Sequence, residues 1–172
     1  RQHIMPVYRP PEEVFERGEG VRLYTSDGKA YLDFIAGIAV NALGLGRLVE
    51  CCREHGVARV LWSSSTVVFG PRRLYGEAPV TEAAPRHPVT GYGLSKVFGE
   101  GLARLFADKH GLPSVCLRIG QFRPKPTNER MLSLWLSHRD MVTLARCSLE
   151  AKDIHFEIVY GISANRRAWY SN

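Results

Sequence analysis

Residues 92–100 read YGLSKVFGE, with Tyr92 and Lys96 four positions apart at the opening of a predicted helix. Positions i and i+4 share a helix face, so the phenol and the ammonium can reach one spot. A phenol of ordinary acidity, with a pKa of about 10, is a poor base near neutrality. An ammonium beside a phenol favours the phenolate, and the pair can then exchange a proton with a substrate hydroxyl or carbonyl. Upstream, the apolar run VLW ends in Ser63, Ser64, Ser65 and Thr66. A serine hydroxyl at a strand end can hold the same substrate oxygen and steady its developing charge. A tyrosine and a lysine alone are most often two structural residues of one helix; the serine run turns the reading towards chemistry. The reaction such a set suits is hydride transfer to or from a carbinol carbon, with a nicotinamide at the other end.

The elements that must place these groups alternate. VARVLWSSS reads as a short buried strand. Residues 70–88, with four prolines and two glycines, read as a long loop, and long loops in compact domains are often functional. Leu94, Val97, Phe98, Leu102, Leu105 and Phe106 recur at helical spacing up to a stop at Gly111. PSVCLRIG is the next buried strand, followed by the polar loop QFRPKPTNER. Ser137 and Asp140 form a helix start, and IHFEIVYGIS is a further strand. This alternation predicts an α/β fold, a partial Rossmann-like parallel sheet with flanking helices. Its ligands bind beyond the carboxyl ends of the strands.

Before it, residues 1–20 read as an arm without a core of its own. VRLYTSDGKAYLDF reads as a β-hairpin turning at Ser26-Asp27-Gly28. AGIAVNALGLG fits a loop or a glycine-rich helix equally. The composition shifts near residues 44–48, which places a boundary between 1–46 and 47–172.

The bulk composition narrows the partners. Hydrophobic content of 45% with 23% charged residues is that of a globular chain. No apolar run reaches the roughly 20 residues that span a membrane, and the first residues lack a signal or transit pattern, so the expectation is cytoplasmic. Cys51, Cys52, Cys116 and Cys147 form no CxxC pair and have no histidine at metal-ligand spacing, which reads as reduced thiols and no metal. The net charge of +6 is scattered over Arg72-Arg73, Arg123 with Lys125, and Arg166-Arg167. No basic strip with interleaved aromatics appears, so nucleic acid is not expected; a small anionic ligand accounts for the excess.

Residues from about 48 to 172 resemble the C-terminal part of an extended short-chain dehydrogenase/reductase of the NAD-dependent epimerase/dehydratase family. The motifs are SSSTVVFG, APVTEAAPRHPVTGYGLSK, FGEGLARLFADKHGL and LRIG. RMLSLWLSHRDMVTLARCSLEA and IVYGISANRRAWYSN resemble its uronate dehydrogenase-like branch. The resemblance implies NAD as cofactor and a sugar or sugar acid as substrate. It implies Tyr92 as catalytic base or acid, Lys96 on the nicotinamide ribose and tuning Tyr92, and Ser65 on the reacting oxygen. Ile119 and Gly120 would lie near the nicotinamide, and Arg130 would grip a sugar carboxylate. Thr66 and Val67 stand where the branch has Asn-His, and Gln121 where it has serine; these positions should touch substrate.

Such enzymes open with a GxGxxG turn whose helix N-terminus holds the pyrophosphate. Gly37, Gly44 and Gly46 do not have that spacing. Instead, HIMPVYRPP and FERGEGVRLYTSDGKAYLDFIAGIAVNALG, residues 3–44, resemble the N-terminus of an acetylornithine-type class III aminotransferase. In that family this part lies near a dimer interface, which carries the expectation of a homodimer. Its cofactor lysine lies far downstream, and Lys29, in the hairpin turn, is no substitute. The sequence therefore reads as a chimera of two truncated pieces, with a catalytic competence that the missing glycine cradle impairs.

Overall fold

The computed structural model describes residues 15–19, 22–32 and 38–172. The chain divides into two compact units, Arg1–Gly37 and Ile38–Asn172.

The first unit is a three-stranded antiparallel sheet, with β1 (Phe15–Glu19), β2 (Arg22–Thr25) and β3 (Ala30–Leu32) in that order. The expected hairpin joins β2 to β3, with Arg22 opposite Leu32 and Tyr24 opposite Ala30. Its turn closes through Gly28 N–H donating to the Thr25 carbonyl at 2.9 Å, and Gly28 takes a φ of +82°, which glycine adopts at no steric cost. β1 falls where an arm was expected. Its pairing with β2 needs only backbone donors and acceptors, so apolar alternation did not announce it. The Arg17 guanidinium lies 4.0 Å from the centroid of the Tyr24 ring. Arm residues 1–14 and hairpin residues 33–34 lie outside the described residues.

The second unit opens with helix α1 (Ile38–Glu54), which resolves the open reading of residues 38–46 as helix. The composition shift at 44–48 lies inside this helix. Strands β4 (Val60–Ser65), β5 (Ser114–Ile119) and β8 (Phe156–Gly161) form a parallel sheet in the order β4-β5-β8. Among the described residues β4 pairs with β5 alone. Helix α2 (Gly91–His110) joins β4 to β5, and α4 (His138–Glu150) precedes β8. The loop after β5 holds a short strand β6 (Gln121–Phe122), a helical turn α3 (Met131–Leu134) and β7 (Trp135–Leu136), with β6 and β7 parallel.

Local signals set the ends of these helices. Thr90 caps α2 by accepting from Gly93 N–H at 3.0 Å, and Gly111 ends it in the left-handed region at φ +63°. Ser137 accepts from Asp140 N–H at 3.0 Å and caps α4.

Packing then fixes α2 on the sheet. Trp62 and Cys116 stand side by side in register and meet Ala103 and Phe106 of α2 and Val49 of α1 in one buried cluster. At Gly99 a Cβ would lie 2.6 Å from the Trp62 indole, so glycine lets the helix touch the strand. A second cluster, Val68, Phe69, Val80, Leu134, Tyr160 and Tyr170, lies under the carboxyl end of the sheet.

Candidate active site

Ser65, Ile119 and Gly161 occupy one register row, the last of the three parallel strands. The chain turns sharply after Ser65, whose Oγ accepts from Val67 N–H and donates to the Ile119 carbonyl, both at 3.4 Å. α2 approaches this row with its first turn. At Gly93 a Cβ would sit 2.6 Å from the Val67 carbonyl oxygen, so glycine lets the first turn of α2 meet the turn after Ser65 this closely. One turn on, Lys96 Nζ donates to the Ser63 carbonyl at 2.8 Å and lies 5.3 Å from the centroid of the Tyr92 ring. Burial draws the Lys96 ammonium below the usual lysine range. Tyr92 is 46% exposed, open to a ligand.

A further turn along α2 is Glu100, 1% exposed, which the sequence did not single out. Its carboxylate accepts from Ser64 Oγ at 2.7 Å, from Arg118 Nε and Nη2 at 2.8 Å each, and from Arg86 Nε at 3.0 Å. Burial alone would raise its pKa, but the Arg118 and Ser64 hydrogen bonds outweigh it and hold the carboxyl below the usual glutamate range. Arg118 is itself fully buried, near the rings of Phe69 and Tyr160 at 4.9 and 5.8 Å, and its Nη1 reaches the Glu82 carbonyl at 3.0 Å. The cluster ties β4, β5, α2 and the 70–88 loop together directly beneath Ser65 and Lys96. A signal was available: an arginine inside the apolar run VCLRI, and a glutamate four residues after Lys96 on the face turned to the sheet.

Beside this edge opens a cleft of about 500 Å³, lined among others by Thr66, Val67, Thr90, Arg130, Trp169 and Tyr170. Three of the expected substrate residues, Thr66, Val67 and Arg130, line it together. The Arg130 guanidinium lies 5.9 Å from the centroid of the Trp169 ring. Ile119 ends β5 beside Ser65. At Gly120 a Cβ would meet the Leu134 carbonyl oxygen at 2.1 Å, so only glycine fits that position. Gln121 pairs with Trp135 in the β6–β7 ladder and is not among the cleft residues.

Lys96 and Tyr92 thus share one helix face, and Ile119-Gly120 close the adjoining strand end. The glycine turn for a pyrophosphate is not in the sequence. Among the described residues no cluster suits a metal ion, and no helix is long and apolar enough to cross a membrane. Cys116 is buried and its thiol is pushed up to about 12, chiefly by desolvation, so it is not a nucleophile.

The profile of the NAD dependent epimerase/dehydratase family matches residues 14–149. The chain is 38% identical over 136 residues to a uronate dehydrogenase of Pseudomonas syringae, covering 78% of this chain and 48% of that protein. It is 46% identical over 145 residues to an NAD-dependent glucose-6-phosphate dehydrogenase of Haloferax volcanii, covering 76% and 55%. The crystal structure of the Agrobacterium tumefaciens uronate dehydrogenase superposes with a TM-score of 0.72 at 39% identity, over 77% of this chain and 49% of that one. The chain therefore spans about half the length of these relatives. A separate likeness, 42% identity over 71 residues, joins 40% of the chain to 17% of acetylornithine aminotransferase 1 of Bradyrhizobium diazoefficiens. That stretch is longer than the residues 3–44 legible as such in the sequence.

Proposed function

The chain belongs to the NAD dependent epimerase/dehydratase family, and from that premise we propose that it carries the reacting edge of an NAD-linked oxidoreductase for an anionic sugar. The observation that supports this reading most is that Lys96 Nζ reaches the Ser63 carbonyl and Gly93 meets the Val67 carbonyl, which sets the helix turn of Tyr92 and Lys96 beside the strand end that carries Ser65. Names among the relatives, a uronate dehydrogenase and a glucose-6-phosphate dehydrogenase, both denote a sugar with an anionic group on its terminal carbon.

The roles follow from position. Bound NAD would accept hydride from the carbinol carbon of the sugar. Tyr92, half exposed on the first turn of α2, takes the proton of the sugar hydroxyl on its phenolate oxygen. Lys96 holds its ammonium on the same helix face, 5.3 Å from the Tyr92 ring centroid, and is placed to reach a ribose hydroxyl. Ser65 Oγ donates to the same sugar oxygen in place of its long contact to the Ile119 carbonyl. Gly120 lets the strand end close against the Leu134 carbonyl, beside the place where the nicotinamide would lie. Arg130 reaches the anionic group, and Trp169 offers a flat face to the sugar ring.

Two observations favour a second reading, a non-catalytic fragment: no GxGxxG turn is present in the sequence, and β4 has one unpaired edge among the described residues. A calorimetric titration with NAD⁺ separates the two. One-site saturable heat, lost on Lys96→Ala, is expected of the oxidoreductase reading. A folded sample with no heat would overturn it in favour of the fragment. Transamination gains nothing: Lys29 lies exposed in the hairpin turn, paired with Asp27 at 2.9 Å.

A further inference from the structure

The cleft holds a second guanidinium that the sequence read as part of a scattered basic excess. Arg72, from the 70–88 loop, lines the same cleft as Arg130. Its Nη2 is committed, donating to the carbonyls of Glu77 at 2.8 Å and Ala78 at 2.7 Å. Its Nη1 is buried and has no hydrogen-bond partner. A buried donor without a protein partner points to a water, an ion or a ligand group beside it. Both arginines act on one place: each opposes the upward push of burial on the Tyr170 phenol, Arg72 more strongly than Arg130. Among the described residues no carboxylate forms an ion pair with either arginine.

The cleft therefore presents two fixed positive charges around an aromatic floor, and the ligand must bring the counter-charge. A lone carboxylate supplies one negative charge and two oxygens. A phosphate monoester supplies between about 1.5 and 2 negative charges near neutrality and three terminal oxygens, enough to engage two guanidiniums at once. We propose that Arg72 and Arg130 together grip the phosphate of a sugar phosphate, with Arg72 the residue that selects phosphate over carboxylate. The inference rests on this cleft being the sugar site proposed above.

The test is calorimetric binding to the full chain of glucose 6-phosphate, glucuronate and inorganic phosphate, repeated from about pH 5 to about pH 7.5. Glucose 6-phosphate is expected to bind about tenfold more tightly than glucuronate, and its affinity to rise several-fold across the second phosphate pKa of about 6. Glucuronate, ionised throughout, should stay flat. Arg72→Gln should weaken glucose 6-phosphate about tenfold and glucuronate less than about threefold, one guanidinium contact being worth roughly that factor. Equal affinity for the two sugars, a flat pH response of the sugar phosphate, or equal weakening of both by Arg72→Gln would overturn the proposal. Inorganic phosphate binding as tightly as the sugar phosphate would also overturn it, leaving a site for the free ion. The pH series uses the unaltered chain, so it decides even if Arg72→Gln loosens the loop. The oxidoreductase reading fails separately, by absent NAD⁺ binding alongside intact sugar-phosphate binding.

Discussion

Beneath Ser65 and Lys96 lies a carboxylate saturated by four donors and sealed from water; in the cleft beside them, two guanidiniums stand without a carboxylate. The first arrangement uses charge to fix geometry. Glu100 and Arg118 bind two strands, a helix and a loop into one rigid bed, and the reacting groups sit on top of it. The second arrangement leaves charge unspent, with Arg130 exposed and Arg72 carrying an unsatisfied nitrogen. Charge paired within the protein positions, and charge left open to the ligand selects.

The largest effect expected from breaking this contrast is at the bed. Glu100→Ala leaves the Arg118 guanidinium buried and unpaired, which should cost about 3–5 kcal/mol of stability in urea unfolding. A loss below about 1 kcal/mol would mean the cluster is not the bed described. The same carboxylate sets a pH dependence. Its folded pKa lies below the unfolded value of about 4.3, so its contribution is complete above that value. It is lost as pH falls through the lower folded pKa. Glu100→Gln should flatten the acid limb of the stability curve in that window.

A middle-sized effect belongs to the contact that joins α2 to the turn after Ser65. Gly93→Ala brings a methyl within 2.6 Å of the Val67 carbonyl and should cost about 1–3 kcal/mol, since backbone must move. It should also weaken binding in the cleft, because Val67 and Thr90 both line it. The smallest effect is at the rim of the bed. Arg86 is 42% exposed at its side chain and adds only one of the four donors to Glu100. Arg86→Ala should therefore cost no more than about 1 kcal/mol, as partly solvated ion pairs do. A cost equal to that of Glu100→Ala would erase the distinction between bed and rim.

Much of this frame was legible in the sequence because the signals were local. The serine run closes β4, Thr90 and Gly111 bracket α2, and Ser137 opens α4, each by a cap or a change of period within a few residues. What could not be read depends on register. That Ser64 stands opposite Arg118, and that Glu100 faces both, follows only once β4 and β5 are paired and α2 is laid across them. The cleft is equally non-local: Trp169 and Tyr170 reach Thr66 from the far end of the chain. Two-residue strands such as β6 and β7 have no periodicity to detect. β1 and the first turns of α1 were missed or left open because charge and glycine there masked backbone order.

The account turns on Tyr92, and the most direct measurement compares Tyr92→Phe with the unaltered 172-residue chain. Formation of reduced nicotinamide would be followed with NAD⁺ and glucuronate or glucose 6-phosphate, beside a thermal unfolding curve. Tyr92 is half exposed, so the substitution should leave unfolding within about 0.5 kcal/mol while turnover falls by about 10²–10⁴-fold. Equal turnover in the two proteins, or none in an unaltered chain that binds NAD⁺, would contradict the reacting edge described.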